Sequence, residues 1–412
     1  MTQTAHDAIE TVYRTQSRRV LATLIRLMGG FDAAEDALHE AFLAAANAWP
    51  TTGIPDNPVA WLVSTGRFRV IDRWRREKRI AGAVADLTED LVEPPTPEDI
   101  RDDELRLVFT CCHPSLAPDG RVALTLREVA GLTTEEIARA YLVPAATIAQ
   151  RIVRAKVKIR DLGLPYEIPG RPEWPQRLDS VLQVIYLIFN EGYSATEADG
   201  LIRIDLCDDA LRLGRLVAEL IDDPEVLGLV ALMQLHDARK TARTDAAGDF
   251  IALEDQDRGL WDRDKIADAQ AVIARGLVHQ HAGPYLLQAA IADLHTRAQR
   301  FEDTDWPQIV SLYDTLIRIA PSPVAALNRA VAVGQRDGAE AGLCAVEATI
   351  NAGGLDNYHL AFAARAEFQR RLGQIDDARQ SYARAVSLTR HPAEIRFLQA
   401  RVASIAHTSD AR

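Results

Sequence analysis

The sequence predicts an all-α protein, and three observations carry that reading. Alanine, leucine and arginine dominate while aromatic residues supply only 6% of the chain, a mix that loses little freedom on entering a helix. Apolar residues recur at helical spacing along nearly the whole length, and the strict alternation of a half-buried strand is almost absent. Two capping boxes, each a short polar residue followed three positions later by Glu, stand at Asp32/Glu35 and Thr133/Glu136.

The 412 residues leave room for several cores. Apolar residues make up 48% and charged residues 26%, the balance of a soluble globular protein. No apolar run reaches the roughly 18–20 residues of a membrane span. The N-terminal stretch carries His6, Asp7, Glu10 and arginines in place of a signal-peptide core. A cytoplasmic protein with no membrane association is expected. The net charge of −12 excludes a protein that coats nucleic acid indiscriminately. Residues 1–170 hold 21 Lys+Arg against 24 Asp+Glu, and residues 171–412 hold 26 against 35, so any DNA contact must come from local basic stripes. Cys111, Cys112, Cys207 and Cys344 lack metal-ligand spacing and read as buried thiols, and the histidines show no zinc pattern. No metal and no cofactor is expected.

Two breaks divide the chain. Residues 81–100 hold six acids, no base and Pro94, Pro95 and Pro97, the composition of an acidic flexible linker. Residues 163–175 hold four prolines and read as a stiffer junction. The segments left are 1–80, 101–162 and 176–412.

In the first segment, Asp32 starts a helix running to about Trp49. Asp32, Glu35, Asp36 and Glu40 cluster on one side of it, and Ala37, Leu38, Ala41, Phe42 and Ala45 form an apolar stripe. The acids are a solvated face or a docking face. A second helix follows Asn57-Pro58, with seven bases against two acids between Trp61 and Arg79. Arg69, Arg73 and Arg76 share a face, while Val63, Val70 and Trp74 fall on another that should be core. A basic face bearing Trp61, Arg67, Phe68 and Trp74 suits single-stranded DNA, because guanidinium groups hold phosphates and rings accept unstacked bases.

The second segment holds a helix-turn-helix. Thr133 and Glu136 open a short helix with Ile137, Ala138 and Tyr141 inward, and a turn near Pro144 starts another with Ile148, Ile152 and Ala155 inward. Thr147, Gln150, Arg151 and Arg154 then point outward where a recognition helix meets base edges, with Lys158 beyond them. Five bases and no acid lie between Ile148 and Arg160.

Residues 5–162 resemble the sigma-70 family, specifically its small extracytoplasmic-function members. The stretch Asp32 to Phe42 is similar to the region-2 helix that grips the β′ clamp helices of RNA polymerase. Trp61 to Arg76 is similar to the segment that melts and reads the −10 element, and Thr133 to Arg154 to the region-4 motif that reads the −35 element. Phe68 stands where such proteins commonly carry Asn, and Ala149 where a base is usual, so the base preference is this chain's own. The resemblance implies a non-enzymatic subunit whose partners are the polymerase core, through β′ clamp helices and β flap, and promoter DNA. Its Asp32, Glu35, Asp36, Glu40 and Phe42 would contact the core. The competing reading is a helix-turn-helix regulator with a repeat-type sensor domain.

The tail reads as tetratricopeptide-like repeats. Gly373, Ala378, Tyr382, Ala385 and Leu388 match the second half of one repeat, with Phe362 and Ala366 in its first helix, and Gly338 falls about one period earlier. Between junction and repeats lie polar clusters containing Asn190, Glu191, Tyr193, Asp255, Asp257 and Arg258. They read as a regulatory or docking surface, or as a hydrogen-bond network fixing irregular helices. The arrangement resembles a subgroup of these sigma factors with a tetratricopeptide-type extension, implying control in cis through intramolecular contact with the sigma domains.

Overall fold

Helix α1 (Thr2–Met28) stops where Gly29 turns to φ +76°, a conformation open to glycine, and its amide closes on Ile25 O at 2.9 Å. The chain reverses into α2 (Phe31–Thr52) and, after Asn57 caps its first turn, into α3 (Pro58–Ile80). A Cβ on Gly66 would lie 2.4 Å from Ala37 O, so α2 and α3 cross at backbone contact. Leu21, Leu24, Ala37, Ala41, Leu62 and Val70 fill the space between the three helices. The computed structural model describes residues 2–80, 96–141, 143–170, 172–195, 206–245, 249–279, 281–389 and 392–409. These fall into two units, residues 1–188 and 189–412.

Unit 1 continues with α4 (Pro97–Cys111), α5 (Pro118–Thr125), a π-helical turn (Leu126–Ala130), α6 (Thr134–Ala140), α7 (Ala145–Asp161) and the first part of α8 (Trp174–Ala195). Helix α4 starts inside the stretch read as acidic linker, because Thr96 and Asp99 cap each other's amides at 2.9 and 3.1 Å. Residues 81–95 of that stretch lie outside the described residues. Helix α8 is tied into unit 1 by Arg177, which donates to Phe109 O at 3.1 Å, and by Ser180, which donates to Cys112 O.

In unit 2, α9 (Leu206–Leu220), α10 (Pro224–Asp237), α11 (Arg263–Leu277) and α12 (Pro284–Arg297) precede α13 (Trp306–Ile319), α14 (Pro323–Asp337), α15 (Ala339–Asn351), α16 (His359–Arg371), α17 (Ile375–Leu388) and α18 (Pro392–Ser409). The hairpins α14–α15 and α16–α17 turn at Gly338 (φ +100°) and Gly373 (φ +76°), in the repeat phase the sequence predicts. A Cβ on Gly334 or Gly342 would come 2.2 or 2.7 Å from Phe368 Cζ, so the ring of one hairpin sits on bare backbone of the other. The fold is all-α and its C-terminal half is tetratricopeptide-like; apart from one isolated bridge between Thr244 and Phe250, the described residues contain no strand.

Three expectations are corrected. The Asp32/Glu35 capping box does not form: α2 begins at Phe31 with Gly30 as its cap, which places Asp32 already inside the first turn. Helix α2 runs past Trp49 to Thr52, carrying Pro50 in its last turn. Cys344 is exposed, unlike the other three cysteines, because it lies on the outer side of α15.

Candidate nucleic-acid and polymerase interfaces

Asp32 and Asp36 are exposed on α2, and Glu35 and Glu40 are half-buried. Glu40 Oε2 lies 3.6 Å from Arg69 Nη1 on α3, so the acidic and basic helices are neighbours through opposite charges. Phe42 is half-buried edge-on against Tyr13, ring centres 5.0 Å apart. On α3, Val63 and Val70 are core as expected, and Trp61 is half-buried against the fully buried Trp49, ring centres 5.4 Å apart. Arg67 is half-buried, while Phe68 is 69% exposed with exposed Arg69 next to it. Arg73, Trp74 and Arg76 continue the same helix, and their side chains lie outside the described residues. A phenyl ring held in water on a basic helix is a surface suited to stacking on an unpaired base.

The Thr133/Glu136 capping box is present: Thr133 N donates to Glu136 Oε2 at 2.7 Å, and Glu136 N to Thr133 Oγ1 at 3.2 Å. Helix α7 buries Ile148, Ile152, Ala155 and Ile159. Gln150, Arg154 and Lys158 are exposed at four-residue steps on the outer face. Thr147 is half-buried, and Arg151 is engaged by Asp119 of α5 at 2.9 Å. The turn residue Leu142 lies outside the described residues.

One functional contact escaped the sequence reading. Lys156, counted with the basic face of α7, turns inward. Its Nζ stands 2.9 Å from Glu35 Oε1 on α2 and 2.9 Å from Glu128 Oε1 in the π turn, and 5.3 Å from the Phe31 ring centre. Glu128 has no solvent access and is shared with Arg18 of α1 at 3.7 Å. Burial alone would lower the Lys156 pKa, but the Glu128 and Glu35 carboxylates more than offset it, so the ammonium is held charged. Arg26 of α1 reaches the fully buried Asp103 of α4 at 2.8 Å, and the Tyr166 hydroxyl lies 2.9 Å from Ala22 O and 3.1 Å from Asp103 O. A cavity of about 750 Å³ borders this seam, lined by Arg26, Phe31, Lys156, Arg160 and Tyr166. Glu128 stands between apolar Leu126 and Val129 with Arg127 beside it, so no clear sign in the sequence tells that a distant lysine reaches it.

The tail candidates separate. Asp255 pairs with Arg401 at 3.0 Å, and Asp257 caps a 3₁₀ turn by accepting from Gly259 N at 2.8 Å. Asn190 and Glu191 are half-buried, and burial raises the Glu191 pKa. Tyr193 and Arg258 do come together, in an aromatic and cationic cluster with His236, Arg239, Arg243 and Trp261.

Family models agree with this layout. Sigma-70 region 2 matches residues 12–80, sigma-70 region 4 matches 106–159, and a family of unknown function, DUF6596, matches 177–277. An uncharacterized protein of Rhizobium meliloti (strain 1021) is 42% identical over 390 residues, 92% of either chain. The ECF RNA polymerase sigma factor SigE of Mycolicibacterium smegmatis is 29% identical over 162 residues, 39% of this chain and 63% of that one. The RNA polymerase sigma-H factor of Pseudomonas aeruginosa is 27% identical over 163 residues, 37% of this chain and 84% of that one. This chain thus spans under two thirds of the mycobacterial relative's length. A region-2 helical bundle followed by a region-4 helix-turn-helix defines a protein of the sigma-70 class. Over its first part the chain belongs to the extracytoplasmic-function group of that family, and it continues into the DUF6596 match and a further helical C-terminal extension.

Proposed function

We propose that this protein is a promoter-recognition subunit of RNA polymerase whose C-terminal extension regulates it in cis. Region 4 docks on duplex DNA through Gln150, Arg154 and Lys158. Region 2 then captures non-template bases on the Phe68 face of α3, and the acids of α2 hold the polymerase core. The protein does no bond chemistry of its own. Unstacking costs a few kcal/mol per step, and stacking on an aromatic returns about 1–3 kcal/mol per base, so a few captured bases suffice to open the strands. The observation that carries the reading is Phe68, 69% exposed on a helix that buries Val59, Leu62, Val63 and Val70.

The test is run-off transcription with purified core polymerase on a promoter library, using the full chain and a chain ending after α8. The second chain must keep residues to 195, because Arg177 and Ser180 belong to unit 1. Selective transcripts and co-purification with core support the proposal, and charge reversal at Asp32, Asp36 and Glu40 should weaken that assembly. Duplex binding without any affinity for core, by either chain, would leave a helix-turn-helix regulator instead. A change in promoter output when the extension is removed is the outcome expected for regulation in cis.

A further inference from the structure

Around Trp261 in unit 2, three arginines and two histidines gather. His236 and Arg239 come from the end of α10, Arg243 from the turn after it, Arg258 from the turn before α11, and His295 from the end of α12. The guanidinium carbons of Arg239 and Arg258 lie 5.8 and 4.8 Å from the Trp261 ring centre. Arg239 Nη2 is 3.0 Å from His236 Nδ1, and the Arg243 guanidinium sits 3.6 Å over the Tyr193 ring.

Three neighbouring carboxylates are engaged elsewhere, Asp237 by Lys265, Asp293 by Arg297 and Gln270, and Asp303 by Arg300, while exposed Glu302 acts on Arg258 from beyond ion-pair distance. Among the described residues, neither Arg239 nor Arg258 has a carboxylate at ion-pair distance.

Arg258, 7% exposed, gives Nη1 to the carbonyls of His295 and Ala298 at 2.6 and 2.7 Å, which caps the end of α12. That structural role leaves its Nη2 without a hydrogen-bond partner, and the same holds for Trp261 Nε1, on a side chain 2% exposed, and for His295 Nδ1. Buried guanidinium charge is costly without an anion, and three unsatisfied buried nitrogens in one cluster are uncommon in a folded protein. Burial first, then Arg239 with Arg243 or Arg258, holds His236 well below its ordinary pKa and His295 at about 3, so the rings add hydrogen-bonding groups and no charge. Tyr193, His236, Arg239, Arg243 and His295 each keep some exposed area, whereas Arg258 and Trp261 are buried.

We propose that this cluster binds a small oxyanion, the phosphate or carboxylate group of an effector molecule. Arg239 supplies the counter-charge, Arg258 Nη2 and Trp261 Nε1 donate to the oxygens, and the Tyr193 ring bounds the site. Arginine suits the task because its fork matches either group. All of these residues except His295 lie inside the matched region 177–277. The site stands on unit 2 alone, so it does not depend on how unit 1 meets polymerase.

The test titrates full-length protein with orthophosphate, acetate and succinate in turn, read by calorimetry and tryptophan fluorescence. Saturable binding of at least one anion is expected, and preference for phosphate or for the carboxylates identifies which group the effector carries. Arg239→Gln should weaken binding about tenfold or more, the loss of one charged hydrogen-bond set. Trp261→Phe, which keeps a ring and removes the donor, should abolish the fluorescence response and weaken binding less. Arg336→Gln, on the surface of α14, should change nothing. No saturable binding of any of the three by the unmodified chain overturns the proposal, whether or not the variants fold. So does unchanged binding by a folded Arg239→Gln protein, or an equal loss in Arg336→Gln.

Discussion

Lys156→Met keeps a long side chain over the Phe31 ring and removes the one charge that Glu35 and Glu128 share. Glu128, with no solvent access, would then keep only Arg18 at 3.7 Å. Removing one partner of a buried ion pair costs about 3–5 kcal/mol, and the surviving Arg18 contact offsets part of it, leaving about 2–3 kcal/mol. Glu35→Gln breaks a contact to the same ammonium, but the Glu35 side chain is 38% exposed. Solvent screening limits that loss to about 0.2–1 kcal/mol. Hydrogen exchange on the full-length protein reads unit 1 separately from unit 2. Amides in the π turn and the inner face of α7 should lose roughly 30-fold protection in Lys156→Met and less than about fivefold in Glu35→Gln. The pH dependence has a definite sign. Because the folded-state pKa of Lys156 is raised above 10.5, its contribution is complete below about 10.5 and is lost as pH climbs from there through that raised value. The gap between wild type and Lys156→Met should therefore close only in strong alkali. Equal losses in the two variants, or full protection in Lys156→Met, would refute the assignment of Glu128 as the partner that matters.

Phe68→Ala should leave folding within about 0.5 kcal/mol of wild type, since the ring is exposed. It should lower open-complex formation about 5- to 150-fold, the equivalent of one stacked base, with permanganate reactivity as the readout and core binding as the unchanged control. Gly334→Ala places a Cβ 2.2 Å from Phe368 Cζ; unit 2 should lose about 1–3 kcal/mol by overpacking, seen as a lower melting midpoint, and an unchanged midpoint would deny the ring-on-backbone contact. Glu367 gives an acid-side prediction. Burial pushes its pKa up, but Arg370 and Arg371 outweigh this and hold it at about 2. Its contribution to α16–α17 is present above pH 4.5 and should be lost as pH falls toward 2, and flat exchange protection across that range would count against it.

Periodicity made the helices legible, because burying an apolar stripe is what decides most of them. It located the α3 core residues Val63 and Val70 and the inner face of α7. Glycine spacing fixed the phase of the last two hairpins for an equally local reason: Gly338 and Gly373 occupy turns with positive φ. What the sequence hid is non-local. Asp32 and Glu35 satisfy the capping-box pattern, yet the helix starts two residues too early for it, and Glu35 is taken by a lysine on a helix far along the sequence. Lys156 belongs by composition to a basic stripe and by position to a buried seam. The tail cluster was half seen. Tyr193, His236, Arg239, Arg258 and Trp261 stand out as members of separate polar clusters, but they meet one another and Arg243 only through the folding of α8, α10 and the irregular loop before α11.

The seam also ranks what holds the two sigma modules together. Gln150, Arg154 and Lys158 are exposed in this arrangement, so α7 can meet a duplex without disturbing Lys156. Helix α2, the proposed polymerase helix, presents Asp32 and Asp36 to solvent while Glu35 is engaged. A basic partner arriving at the exposed acids could take Glu35 as well for about 0.2–1 kcal/mol, since that carboxylate is already partly in water. Lys156 would remain with Glu128. Glu128 with Arg18, and Asp103 with Arg26, tie the region-4 half to α1 through carboxylates that have no solvent access. Separation of the modules must therefore break those pairs; Glu128 keeps Lys156 and Asp103 keeps Arg106 at 2.7 Å, so neither carboxylate is stranded, but the buried contacts to α1 are lost as well as the Glu35 contact. Polymerase engagement on α2 and opening of the seam are, on this energetic ordering, distinct steps, with the first available while the second is still closed.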